Sequence, residues 1–172
     1  MTTVDPAYEM MSALYEELRR IGRRLLDPKD ARVRLQPTDL VHEAAARLLK
    51  LNHLTYQDEG HFLAMGARVM RQVIIDEIRK ARALKRDHLS VVTQWIDLES
   101  GARGVDIDLE RLDDALTRLD AASPDLARLV ELRFYVGLTM EQIAKVTGQS
   151  SRTIKRHWQT ARTFLFAELQ HA

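Results

Sequence analysis

Apolar residues recur along this chain at three- and four-residue intervals, the spacing of one helix face, and no stretch shows the convincing apolar/polar alternation that would call for a sheet. The pattern predicts an all-α protein. Tyr8, Met11, Leu14, Leu18, Ile21 and Leu25 form the first stripe, and Asp5-Pro6 supplies a capping carboxylate followed by a proline whose missing N–H costs nothing in a first turn. One helix is expected from there to about Leu26. Pro37-Thr38-Asp39 opens a second, with Leu40, Val41, Ala44, Ala45, Leu48 and Leu51 on one side. Asn52 to Gly60 is polar and reads as a loop, and a third helix is expected over about His61 to Arg86.

Between Leu89 and Val105 the periodicity weakens, and Ser100-Gly101-Ala102-Arg103-Gly104 has the composition of a flexible connection. A domain boundary is placed there. Helical spacing resumes near Leu109, and Ser123-Pro124-Asp125 starts a helix carrying Leu126, Leu129, Val130 and Phe134 that should stop at Gly137. Thr139 and Gln142 have the spacing of a capping box for a short helix ending at Gly148. Ser150 or Ser151 caps the last helix, which continues to about Leu169. The layout is two helical domains, residues 1–90 and 109–172, joined by an acidic linker over 91–108.

A chain of 172 residues, 45% hydrophobic and 30% charged, has the balance of a soluble globular protein. Without cysteine it has no disulfide framework, thiolate metal site or cysteine nucleophile, and it suits a reducing compartment. No apolar run approaches the roughly 20 residues that span a bilayer, and Met1 to Met10 lacks a basic start, so the expected location is cytoplasmic with no membrane partner. The net charge of +1 hides strong segregation. Arg68, Arg71, Arg79, Lys80, Arg82, Lys85 and Arg86 against Asp76 and Glu77 give +5. Asp97, Glu99, Asp106, Asp108, Glu110, Asp113 and Asp114 against Arg103 and Arg111 give −5. Lys145, Arg152, Lys155, Arg156 and Arg162, with no acid among them, give +5 again.

Ala144, Gly148 and Ile154 form the skeleton of a helix-turn-helix. Ala144 permits a close crossing, Gly148 can take the positive φ of the turn, and Ile154 plugs the space between the helices. At about 100° per residue, Ile154, Trp158, Ala161 and Leu165 share one sector of the last helix, with Arg152, Lys155, Arg156 and Gln159 opposite. Arginine and lysine suit guanine edges or phosphates, and glutamine suits adenine, so this outer face could read a major groove. The plainer alternative is an amphipathic helix with a solvated basic face. In the His61–Arg86 helix, Arg68, Arg71, Arg79, Arg82 and Arg86 share one sector, with Phe62, Gly66, Val69, Val73 and Leu84 roughly opposite. Such a narrow stripe could track phosphate oxygens, or could be a long solvated helix laced with charge. Ile75 interrupts the stripe and Ile78 lies near it, placing apolar side chains on the expected outer surface. Both cationic surfaces are expected to face outward.

Thr38-Asp39-Leu40-Val41-His42-Glu43, then Phe62-Leu63-Ala64-Met65 and Ile74-Ile75-Asp76-Glu77-Ile78-Arg79, resemble the first conserved domain of bacterial sigma factors of the extracytoplasmic-function (ECF) type within the sigma-70 family. Leu126-x-x-Leu129 through Leu132-Arg133, with Leu138-Thr139-Met140-Glu141-Gln142-Ile143-Ala144, resembles their second, and the likeness runs from about Tyr8 to Glu168. The resemblance implies a promoter-recognition subunit of RNA polymerase with a sigma-2-like and a sigma-4-like domain, no catalysis and no cofactor. It implies that the His61–Arg86 helix faces a minus-ten element through Arg68, Arg71, Arg79, Arg82 and Arg86, and that Asn52, His53 and Tyr56 hold a flipped base. It places Ser151, Arg152, Thr153, Lys155, Arg156 and Gln159 at the minus-thirty-five element, and Asp39, Leu40 and Glu43 at the docking surface for core polymerase. The Asp97–Asp114 segment resembles the family's linker, which threads near the RNA path; a solvated hinge is the alternative.

One departure concerns charge. Where most members of that family carry two or three acids before the Asp-Leu-Val run, this chain has Gln36-Pro37-Thr38-Asp39. A phosphate on Thr38 would add about −1.5 to −2 charges at a helix N-terminus. A Ser/Thr kinase acting there is therefore an expected partner, as the resemblance to kinase-linked members also suggests, and an anti-sigma factor remains compatible. Enzyme readings fail on the residues. His42-Glu43 would need a histidine at Ala46 for a zinc-protease helix, and Asp106-Ile107-Asp108-Leu109-Glu110 has Arg111 where a calcium loop needs glycine and Thr117 where it needs glutamate. The scattered histidines suggest no metal site. The competing class is a conventional helix-turn-helix regulator binding duplex operator DNA without polymerase; a second basic stripe is what such a protein would not need.

Overall fold

The structure, a computed structural model, describes residues 6–26, 35–50, 58–85, 92–95 and 105–171. The expected first helix is two: α1 (Pro6–Ala13) and α2 (Tyr15–Leu25), separated at Leu14, whose φ of −108° and ψ of 15° leave the helical range. Leu14, Leu18, Ile21 and Leu25 are buried, whereas Tyr8, placed on the same stripe by spacing alone, is exposed. α3 (Pro37–Lys50) and α4 (Glu59–Lys85) match the expected second and third helices closely. α2, α3 and α4 pack around Leu18, Ile21, Leu40, Ala44, Leu48, Phe62, Met70 and Ile74, and Arg47 Nη1 ties α3 to α4 by donating to Asp76 Oδ2 at 2.8 Å.

Two corrections concern α4. Ile75 and Ile78, expected near an outer surface, are fully buried, and Leu84, expected on the packed side, is exposed. The reason is that α4 is covered on two sides, by α2 and α3 and again by a segment far along the chain, so one apolar sector does not describe it.

The described residues are overwhelmingly helical, as the all-α reading expects, with one small sheet as a local exception. β1 (Val92–Trp95) pairs antiparallel with β2 (Val105–Asp108), Val92 opposite Asp108 and Trp95 opposite Val105. Val105-Asp106-Ile107-Asp108 does alternate apolar with acidic, but four residues are too short to stand out from a helical background. Within the segment expected to be an acidic linker, Val105–Asp108 is thus strand β2, and from Leu109 the chain is helix α5 (Leu109–Ala122), capped by the Asp108 carboxylate accepting from the Arg111 amide. Ser100 to Gly104 lies outside the described residues.

α6 (Pro124–Val130) follows, with its proline in the first turn, and continues as a wider π-helical turn over Glu131–Val136. This ends at Gly137, in the left-handed region at φ 80°. α7 (Met140–Thr147) and α8 (Ser151–His171) complete the chain. α5, α6 and α7 pack against α8 through Leu112, Leu116, Leu119, Ala127, Ile143, Ile154, Trp158 and Leu165. The π turn bridges the two halves by packing on α2 and α4, and the apolar core is continuous through it. No helix among the described residues is long and apolar enough to cross a membrane.

Candidate nucleic-acid interface

The entry to α7 is the expected capping box. Thr139 Oγ1 accepts from the Gln142 amide at 3.1 Å, while Gln142 Oε1 accepts from the Thr139 amide at 2.8 Å. Two amides that the first turn would leave unpaired are thereby satisfied reciprocally. At the other end Gly148 adopts φ 69°, and Ser150 Oγ caps α8 by accepting from the Thr153 amide at 3.2 Å. Ala144, Ile154, Trp158, Ala161 and Leu165 are buried. Arg152, Lys155, Arg156 and Gln159 are exposed on the opposite side, with Ser151 and Thr153 half-buried at the start of the helix. Among the described residues no carboxylate lies within ion-pair distance of Arg152, Lys155 or Arg156. The outer face of α8 is thus a cationic surface open to a ligand, as its spacing predicts.

The α4 stripe is different, and here the expectation of an outward face is corrected in part: Arg79 is exposed and Arg68 and Arg82 are half-buried, but Arg71 is turned inward. Arg71 is 2% exposed. Its Nε donates to Asp113 Oδ1 at 2.6 Å, its Nη2 lies 3.8 Å from Glu131 Oε1, and its guanidinium carbon sits 5.3 Å from the centre of the Tyr135 ring. Gln72 Nε2 donates to both oxygens of Asp113 at 2.8 Å. Arg68 reaches Asp120 at 3.1 Å and Glu131 at 3.0 Å, and Arg79 and Arg82 both pair with Glu110. Every described arginine of the stripe is therefore turned toward an acid of α5 or the π turn.

Electrostatics inside this cluster follow from burial. Desolvation works against charge on Arg71, but Tyr135, Glu131 and Asp113 together hold its guanidinium above the ordinary arginine range. Burial raises the Glu131 carboxyl, outweighing the pull of Arg68 and Arg71. Burial also pushes the Tyr135 phenol up to about 12, against Arg71. At the start of α4, burial and then Arg128 lower His61, against the pull of Asp58. Asp58 itself joins Arg128 of α6 at 3.2 Å.

The remaining expected residues divide by position. Asp39 and Glu43 are exposed on α3, but Leu40 is fully buried, so it cannot meet a partner from this surface and belongs to the core. Thr38 is half-buried in the first turn of α3. Asn52, His53, Tyr56 and Arg86 lie outside the described residues. Spacing missed Glu110, Asp113, Asp120 and Glu131 as partners of α4. For Glu110 and Asp113 the signal was the charge map, in which a −5 block follows a +5 block of matching size; Asp120 and Glu131 lie beyond that block.

The chain matches a family model described as ECF sigma factor over residues 5–171. No curated protein matches it by sequence.

Proposed function

The chain belongs to the ECF sigma factor family, whose members bind core RNA polymerase and promoter DNA to direct transcription, and from that premise we propose how its residues divide the work. α8 enters the major groove of the minus-thirty-five element, with Arg152, Lys155, Arg156 and Gln159 facing the duplex and Ser151 and Thr153 at the helix entry. The single observation that carries this is α8 itself: a capped helix whose apolar face is buried while its cationic face is exposed without acidic partners. Arg68, Arg71, Arg79, Arg82 and Arg86 of the α4 stripe, with Asn52, His53 and Tyr56 before it, serve the minus-ten element. Residues 1–90 and 109–172 act as the two promoter-binding domains, joined through 91–108, in the cytoplasm. Asp39 and Glu43, exposed on α3, dock on polymerase.

A Ser/Thr kinase acting on Thr38 strengthens that docking. Thr38 lies in the first turn of α3, next to exposed Asp39, where the backbone amides favour added negative charge. Runoff transcription with purified core enzyme tests the main reading: transcripts from a cognate promoter should require this protein, and a regulator that acts without polymerase would supply none. Polymerase pull-down with Thr38→Ala, Thr38→Glu and kinase-treated protein tests the second point. Equal capture of all three would remove it.

A further inference from the structure

The connection between the two halves is shorter than its residue count. Between Lys85, the last residue of α4, and Leu109, the first of α5, stand 23 residues, enough for roughly 80 Å of extended chain. The hairpin changes that figure. Val92, which opens β1, is paired with Asp108, the residue that ends β2 and caps α5, so the 15 residues from 93 to 107 add nothing to the reach. Six residues, 86–91, are left between α4 and the paired strands. They extend roughly 20 Å, with about 5 Å more across the strand pair.

The two strands are not held equally. β2 is fastened to the C-terminal half, since Ile107 and Leu109 are buried and the Asp108 carboxylate accepts from the Arg111 amide. β1 is held mainly by β2. Four residue pairs make up the whole of this two-stranded sheet, and an isolated hairpin of two strands is at best marginally stable in water. The strand that can peel away at little cost is therefore β1, the one nearer to α4.

We propose that the hairpin is a strap: paired, it keeps the halves on a short tether, and β1 must leave β2 before α4 and α8 can occupy the minus-ten and minus-thirty-five elements of one promoter together. The inference rests on the sigma-factor reading for those two sites. Distance decides it. Elements centred about 25 base pairs apart are separated by roughly 85 Å of duplex, and each folded half extends roughly 15 Å from its own centre. With β1 paired, the halves and their tether cover at most roughly 55 Å; with β1 free they cover up to roughly 110 Å. Only the second spans the promoter. A tether too short to span its two sites forfeits the gain from binding both at once.

The test locks the strap, unpairs it and lengthens it. Since the chain has no cysteine, a pair placed on opposite residues of the hairpin can form only the intended bond within one molecule. Adjacent antiparallel pairs alternate between closer and wider spacing, so two staples are made, Thr93→Cys/Ile107→Cys and Gln94→Cys/Asp106→Cys, and the one that closes is used. Val92→Gly/Thr93→Ser/Gln94→Gly/Trp95→Ser removes the β-forming residues of β1 and leaves it unpaired. A third protein carries the staple together with a Gly/Ser insertion of about 15 residues after Arg86, which returns the missing reach while the hairpin stays locked. Each is assayed, oxidised and reduced, by runoff transcription with purified core enzyme and by binding of a duplex carrying the minus-thirty-five element alone.

Oxidation of the stapled protein is expected to lower the transcript at least tenfold and to leave duplex binding through α8 unchanged. Reduction restores transcription, the unpaired variant transcribes at least as well as wild type, and the insertion rescues the oxidised protein. In the free wild type, hydrogen exchange should show the amides of Val92–Trp95 opening well before those of α5. The proposal is overturned if neither staple closes, if oxidised and reduced proteins transcribe alike, if the insertion brings no rescue, if unpairing β1 abolishes transcription, or if β1 is protected as strongly as α5. Failure of the underlying reading looks different: no transcript from wild type rejects the sigma-factor assignment, and the strap's role with it, whereas transcription by wild type and by the locked protein alike rejects the strap alone.

Discussion

Arg71 Nε and Asp113 Oδ1 lie 2.6 Å apart inside the protein, joining the middle of α4 to the first turns of α5 across 42 residues of sequence. Both groups are buried, and Gln72 occupies the lone pairs of Asp113 that Arg71 leaves free. A buried pair of this kind is poorly described by its attraction alone. Removing one partner strands the other charge in a medium that solvates it badly.

Arg71→Ala is therefore expected to lower stability by up to about 3–5 kcal/mol, the range for breaking a buried pair. Arg71→Met combined with Asp113→Leu should recover much of the loss, because no charge is left uncompensated. Urea unfolding of the two singles and the double gives the coupling directly; a double variant no better than the worse single would count against it.

Glu131 makes a prediction about pH. Its folded pKa lies above the ordinary value of 4.5, with burial the largest cause. The folded state thus holds this proton more tightly than the unfolded chain does. The stability that Glu131 contributes is fully present below pH 4.5 and is lost as the pH rises through its higher folded value. Glu131→Gln lacks that titration, so its thermal midpoint relative to wild type should rise as the pH increases across this window. A difference that falls with rising pH would reverse the assignment.

Gly148 separates backbone strain from steric conflict. Its φ is +69°, yet a Cβ built there meets nothing within 4 Å. Gly148→Ala should therefore cost only the left-handed backbone penalty, about 1–2 kcal/mol, and Gly148→Asn less, since asparagine tolerates that region better. Thermal unfolding of both variants checks the order. A larger loss for asparagine would point to a clash that the geometry does not contain.

On the outer face of α8, Arg152→Ala and Lys155→Ala should each weaken duplex promoter binding while leaving the thermal midpoint unchanged, because both side chains are exposed. Where the deleted cation sat against a phosphate, the slope of log affinity against log salt should fall by about 0.9. Binding titrations at several salt concentrations read this. Unaltered affinity and slope in both variants would remove α8 as the duplex-binding element.

Much of the C-terminal site was legible in the residues because its determinants are local. Thr139 and Gln142 satisfy each other's amides three residues apart, Gly148 turns the chain where its own φ allows, and the helical period alone separates Ile154, Trp158 and Leu165 from Arg152, Lys155 and Gln159. The all-α assignment missed one short hairpin, whose four-residue alternation was too brief to register against helical neighbours.

The α4 surface was legible only as composition. A helical wheel places Arg68, Arg71, Arg79 and Arg82 on one side, but whether that side meets water depends on what folds back over it. Here the occupants are acids up to 63 residues away, brought in by the π turn and by α5. Periodicity is a property of neighbours along the chain, so the sequence determined where helices form, how most are capped and what charge they carry, though not the break at Leu14 or the π turn. Which charges meet is a property of distance in space, where Coulomb attraction and desolvation act without regard to chain order, and only the tertiary structure decided that the cations of α8 stand without acidic partners while those of α4 are paired with acids.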